Sequence, residues 1–197
     1  MTSPAPLDRA RTAVLIMDYQ AGIVAMLPGD QDALLARANA VLAAARAARL
    51  PVIYVVVAFR AGHPEVGPAN IRFGELKQTG RFAAGDPGAE IHAGIAPQAG
   101  DIVVTKRRVS AFAGSDLELI LRARGLDTLV LFGIATSGVV LSTVRQAADA
   151  DYRLVVLADC CADRDAEVHR VLTEKVFPRQ AEVIVAEQFL EMFREGD

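Results

Sequence analysis

The chain is organised by short, unbroken apolar runs spaced along its length. "TAVLIMD" (12–18), "VIYVVVAF" (52–59), "DIVVTK" (101–106), "DTLVLFGI" (127–134), "YRLVVLAD" (152–159) and "AEVIVA" (181–186) each have the length of a strand. The longer runs do not alternate with polar residues, as expected of strands covered on both faces by other elements. Between them lie stretches of helical periodicity. Residues 31–50, "QDALLARANAVLAAARAARL", are rich in Ala and Leu and are stopped by Pro51. Residues 115–125 form a helix with Ser115 as N-cap and Gly125 as its stop, and 137–150, 165–176 and 187–194 supply three more. Strands alternating with helices predict an α/β three-layer sandwich with a six-stranded, mostly parallel, Rossmann-like sheet.

A chain of 197 residues suits a single domain, 1–197, with a sizeable core. The net charge of −3 and the scattered arginines argue against nucleic acid as a partner. No apolar run is long enough to span a membrane, and the first twenty residues lack the pattern of a signal peptide. The two cysteines, Cys160 and Cys161, are adjacent, which gives neither a disulfide framework nor metal-ligand spacing and points to the cytoplasm.

Residues 60–98 break the regular pattern with many glycines and prolines. Such a segment is read either as a lid, whose Arg60, Asn70, Arg72, Phe73, Lys77, Arg81 and Phe82 could contact an anionic substrate, or as a subunit contact. His63 and His92 within it are read as loop residues and His169 as a surface residue, so no metal is expected.

In an open parallel sheet, ligands bind beyond the carboxyl ends of the strands, where strand order reverses. Asp18 ends the first strand, Lys106 the third, and the Gly133–Thr136 turn the fourth. Alone, Asp18 could be a turn former, Lys106 part of a solvated basic cluster, and the turn an ordinary helix start. Together, a carboxylate and an ammonium in one cleft make a proton-handling pair.

The segments "AVLIMDYQ", "VVTKRRVSAF" and "LVLFGIATSGVVLSTVRQAADADYRLVVLADCCAD" resemble the isochorismatase-like hydrolases, or cysteine hydrolase superfamily, from about Thr12 to Val185. The resemblance implies strand order 3-2-1-4-5-6 and an Asp, Lys, Cys triad. Its Asp maps onto Asp18 and its Lys onto Lys106, and a cis peptide maps onto Ile134–Ala135. It also implies an oxyanion site at the turn formed by Ile134, Ala135, Thr136, Ser137 and Gly138. The family's cysteine stands six residues after the turn glycine, and that position is Val139. Cys160 and Cys161, after the fifth strand, are read as packing residues.

Two functions follow as expectations. One is a hydrolase of a small molecule, cleaving an enol ether or C–N bond with Asp18 and Lys106 and no cysteine nucleophile. The other is a ligand-binding or assembly protein on a scaffold that has lost turnover. Arg60, Phe73 and Arg108 are the candidate substrate contacts. No cofactor is expected, and the resemblance implies a homodimer or homotetramer.

Overall fold

The computed structural model describes residues 6–193; the outermost residues of the expected span 1–197, and Arg194 of the expected last helix, lie outside them. The strands are β1 (Thr12–Met17), β2 (Val52–Val57), β3 (Ile102–Lys106), β4 (Thr128–Gly133), β5 (Arg153–Leu157) and β6 (Glu182–Ile184). The helices are α1 (Ala21–Val24), α2 (Gln31–Ala47), α3 (Ile71–Thr79), α4 (Leu117–Ala123), α5 (Leu141–Asp149), α6 (Ala166–Val171) and α7 (Ala186–Glu191). The sheet order is β3-β2-β1-β4-β5-β6, and every pairing is parallel. Every residue of β1, β2 and β4 is buried, which explains why these runs carry no polar alternation. No helix among the described residues is long and apolar enough to cross a membrane.

Several local expectations shift. The helix expected at 115 begins at Leu117. Ser115 does accept from the Leu117 amide, at 3.3 Å, but its hydroxyl also donates to the Ala111 carbonyl, and Asp116 holds the N-cap position without a capping side chain. The helix expected from 137 opens with a π-helical turn, Thr136–Val140, before α5. The segment 60–98 contains α3, capped by the Asn70 side chain on the Phe73 amide and ended by Gly80 in the left-handed conformation. Its Val66, Phe73 and Phe82 pack with Val57 and Phe59 at the end of β2 in a small apolar cluster apart from the main core.

The order reverses between β1 and β4, since successive strands run outward from β1 on one side and from β4 on the other. Register then fixes what meets there. Met17 lies opposite both Val55 and Gly133, while Lys106 lies opposite Val57. β3 thus ends further along than β1. Two strand spacings separate them, about 10 Å, and the long side chain of Lys106 crosses the end of β2 to reach Asp18.

Gly133 has a close-packing reason. A Cβ there would lie 2.7 Å from the Met17 carbonyl oxygen and 2.9 Å from the Met17 Cβ. Both neighbours belong to buried β1, which cannot easily move. Gly133→Ala is expected to cost about 2 kcal/mol by overpacking, read as a lowered midpoint of urea unfolding. An unchanged midpoint would show that β1 and β4 can separate here.

Candidate active site

Asp18 follows β1 in the left-handed conformation, with φ of 58°, which turns its side chain out of the strand sequence. Asp tolerates this backbone better than most residues, and its amide is anchored to the Val55 carbonyl at 2.8 Å. Asp18 Oδ2 lies 3.0 Å from Lys106 Nζ, and both side chains are nearly fully buried. The ammonium also donates to the Arg108 carbonyl at 3.0 Å. Asp18 Oδ1 is buried and has no hydrogen-bond partner among the described residues. Burial raises the Asp18 pKa above the ordinary aspartate value, with the charges of Lys106 and Arg72 opposing it.

Asp18 and Lys106 line a pocket of about 410 Å³. Ile134, Ala135, Ser137, Gly138 and Val139 form one side of it, with Phe73, Leu76 and Phe82 from the 60–98 segment on another. Arg72, Arg81 and Arg164 also border it, with Glu75 and Asp163. Arg72 is exposed and makes no ion pair among the described residues. Arg81 is partly committed, since it donates to the Gly22 carbonyl at 3.2 Å.

The structure therefore brings together Asp18, Lys106, Val139, Phe73 and the turn residues Ile134, Ala135, Ser137 and Gly138. Thr136 belongs to the same turn but is fully buried behind the pocket wall. Arg60 and Arg108 do not line the pocket. Arg60 pairs with Glu65 at 2.7 Å, and the Arg108 guanidinium donates to the Glu65 and Arg107 carbonyls. The nearby carboxylate and carbonyls draw both cations away, and only the backbone of Arg108 serves the site, through Lys106.

The turn's amides are unequal. Thr136 N donates to the Ala162 carbonyl at 2.8 Å, Ser137 N to Asp163 Oδ2 at 2.7 Å, and Gly138 N to the Ala135 carbonyl at 3.1 Å. The Ala135 amide donates to no acceptor among the described residues. It is the nitrogen of the Ile134–Ala135 peptide, which is cis. Val139 is buried, and its Cγ1 lies 3.2 Å from where a Gly133 Cβ would stand.

Four residues around the site are unassigned or read otherwise from sequence. Gln20 is fully buried and ties the end of β2 to the 60–98 segment. Its side chain donates to the Val57 and Ala89 carbonyls and accepts from the Val57 amide at 2.8 Å. A glutamine three residues past buried β1 is the available signal. Thr143 Oγ1 accepts the Ala111 amide at 3.0 Å, so the Ser-Ala-Phe stretch is tied to α5. His169, expected at the surface, is half-buried, and its Nδ1 lies 2.8 Å from Thr136 Oγ1. The reason is that α6 crosses behind the turn and faces this one position toward it. His63, expected in a loop, is a loop residue but a buried one, with Nε2 2.8 Å from the Arg81 carbonyl.

Comparison with known proteins bears on the same elements. The isochorismatase domain model matches residues 12–188. The isochorismatase family protein YwoC of Bacillus subtilis is 35% identical over 195 residues, covering 95% of this chain and 97% of that protein. A ureidoacrylate amidohydrolase, RutB of Methylobacterium radiotolerans, is 34% identical, covering 85% of this chain and 73% of its own. The crystal structure of a cysteine hydrolase from Pseudomonas syringae pv. phaseolicola superposes with a TM-score of 0.87 at 26% identity, over 98% of this chain and 99% of that one. With a family model matching from β1 into α7, and a sheet in the order the resemblance implied, the chain belongs to the isochorismatase family.

Proposed function

We propose that this protein is a cytoplasmic hydrolase of a small molecule, cleaving an enol ether or a C–N bond through Asp18 and Lys106 without a cysteine nucleophile. The observation that carries the reading is the buried carboxyl of Asp18. One oxygen is tied to Lys106 at 3.0 Å, and the other has no partner among the described residues, in a side chain that lines the pocket. A buried polar atom without a partner is costly, and a substrate or water at Oδ1 would relieve that cost.

The two bond types use the pair differently. For an enol ether, protonated Asp18 gives its proton to the vinyl carbon, and the ether oxygen's lone pair stabilises the resulting cation. Water adds to the cationic carbon and returns a proton to the Asp18 carboxylate. The hemiketal then collapses to a carbonyl compound and an alcohol. Lys106 stabilises the carboxylate between these steps. For a C–N bond, Asp18 starts ionised and takes a proton from the water that attacks the carbonyl, and that proton leaves on the nitrogen. The Ala135 amide, which has no acceptor among the described residues, is the group suited to the oxyanion. Burial raises the Asp18 pKa, which favours the acid role. The name of RutB, an amidohydrolase, favours the second. Arg72 and Arg164 on the pocket's border suit a substrate bearing a carboxylate.

Val139 supports the absence of a thiol step, since its isopropyl group borders the pocket at the position the resemblance assigns to the family's cysteine. Cys160 and Cys161 do not line that pocket. Both are buried, which pushes the Cys161 thiol up to about 12 and Cys160 higher still. The alternative, a binding protein that has lost turnover, would suit a pocket filled by Val139 and its neighbours. The open volume of about 410 Å³ weighs against it.

A panel of enol ethers, amides and carbamoyl compounds tests the reading with wild type, Asp18→Asn and Val139→Cys. Wild type is expected to turn over a member of the panel, and Asp18→Asn to lose about 10²- to 10⁴-fold in rate. Activity confined to V139C would instead favour the binding protein. The pH profile separates the two bond types. Enol-ether cleavage falls as pH rises through the Asp18 pKa, whereas C–N hydrolysis rises through it. Lys106→Met removes a cation that favours the carboxylate, so the Asp18 limb moves to higher pH in either case.

The native thiols are expected to resist a disulfide reagent at about pH 8 and to react once the chain is unfolded. Rapid labelling of the folded protein with matching loss of activity would contradict a thiol-free reaction.

A further inference from the structure

The turn between β4 and α5 forms one wall of the pocket and is held by the chain beyond β5 as well as by its own elements. β4 ends at Gly133 and α5 begins at Leu141, with a π-helical turn between them. Part of its support comes from the chain that follows β5. Ala162 accepts the Thr136 amide, and Asp163 accepts the Ser137 amide. The third support is His169 on α6, whose Nδ1 meets the Thr136 hydroxyl at 2.8 Å.

The nature of that contact separates it from ordinary packing. α6 buries none of its own residues fully, and its apolar anchor is Leu172 in the turn that continues it, so the contact at His169 is a polar one. Its neighbours Glu167, Val168 and Arg170 are exposed, while His169 is half-buried. Thr136 is fully buried, and His169 is the one partner of its hydroxyl among the described residues. Removing the imidazole would leave a buried hydroxyl unsatisfied, a larger loss than the bond's net worth. Burial also lowers the His169 pKa, against the charge of Asp163, which favours the neutral ring.

We propose that His169 is a positioning residue. Through Thr136 it holds the turn so that Ala135 and Val139 face Asp18 across the pocket, with Asp163 as a second tether at Ser137. Its purpose rests on the hydrolase reading above, but the state of the turn can be measured without turnover.

The experiment is hydrogen exchange by mass spectrometry on the full chain. It follows the peptide that carries the Thr136, Ser137 and Gly138 amides, with a β1 peptide as internal reference. His169→Ala and Thr136→Val should each speed exchange in the turn about fivefold, as the loss of one buried hydrogen bond would, with β1 unchanged. His169→Asn, whose amide can stand where Nδ1 stood, should stay within about twofold of wild type. Exchange in H169A equal to wild type would overturn the proposal, as would H169N exchanging as fast as H169A. If H169A does not fold, the nearly isosteric T136V decides alone: faster exchange in the turn supports the role, and unchanged exchange overturns it. On any substrate the protein turns over, H169A should lower kcat more than it raises KM. Loss of activity in D18N bears on the hydrolase reading alone, so the two claims can fail separately.

Discussion

The site depends on one buried ion pair, Asp18 with Lys106 at 3.0 Å. Taking a carboxyl and an ammonium out of water is expensive, and the attraction between them repays it only where the geometry is good and the remaining polar atoms find partners. Here the accounting is uneven. The ammonium has Asp18 and the Arg108 carbonyl as partners, while one Asp18 oxygen has none among the described residues. The unmatched oxygen belongs to a residue at the pocket, where a reacting group would relieve it. On the proposed reading, a carboxyl in this state serves to bind or release a proton. The backbone enforces the arrangement. Asp18 takes the left-handed conformation beside β2, and the register of β3 sets Lys106 far enough along to reach across.

Around this pair, the rest of the site supplies shape. The 60–98 segment brings Phe73, Leu76 and Phe82 over the carboxyl ends of the strands, seated on the small apolar cluster it shares with the end of β2 rather than on the main core. Gln20 fastens it to β2 by three hydrogen bonds. Opposite, the turn after β4 offers Val139 and the amide of Ala135. Its next three amides are spent on holding the turn itself, so among these four only the Ala135 amide is left to donate into the site.

Much of this was legible before any coordinates. Continuous burial of β1, β2 and β4 produces unbroken apolar runs, which is why the strands stood out. Parallel connectivity then forces polar strand-end residues to one edge, so Asp18, Lys106 and the turn could be grouped by topology alone. Other features were hidden for physical reasons. Helix α3 buries one residue, Phe73, and contains Gly74, so it has almost no apolar stripe to betray it; only Asn70 and Gly80 mark its ends. Charged side chains were the least readable, because a guanidinium goes to the nearest carboxylate or carbonyl. Glu65 takes Arg60 and its carbonyl helps hold Arg108, whereas Arg72 forms no ion pair among the described residues and borders the pocket. His169 looked superficial because its neighbours on α6 are; that this one position faces a buried hydroxyl depends on how α6 crosses the turn, which sequence spacing does not encode.

The central claim is that burial outweighs the neighbouring cations at Asp18, so that its carboxyl holds a proton more tightly than a free aspartate. The most direct measurement is the carboxyl carbon-13 shift of Asp18 followed by NMR across the acid and neutral range, assigned by its loss in Asp18→Asn. The account predicts a midpoint above the ordinary aspartate value of about 3.9. A midpoint at or below that value would mean that Lys106 and Arg72 dominate, leaving a fixed carboxylate rather than a proton-handling group at the heart of the site.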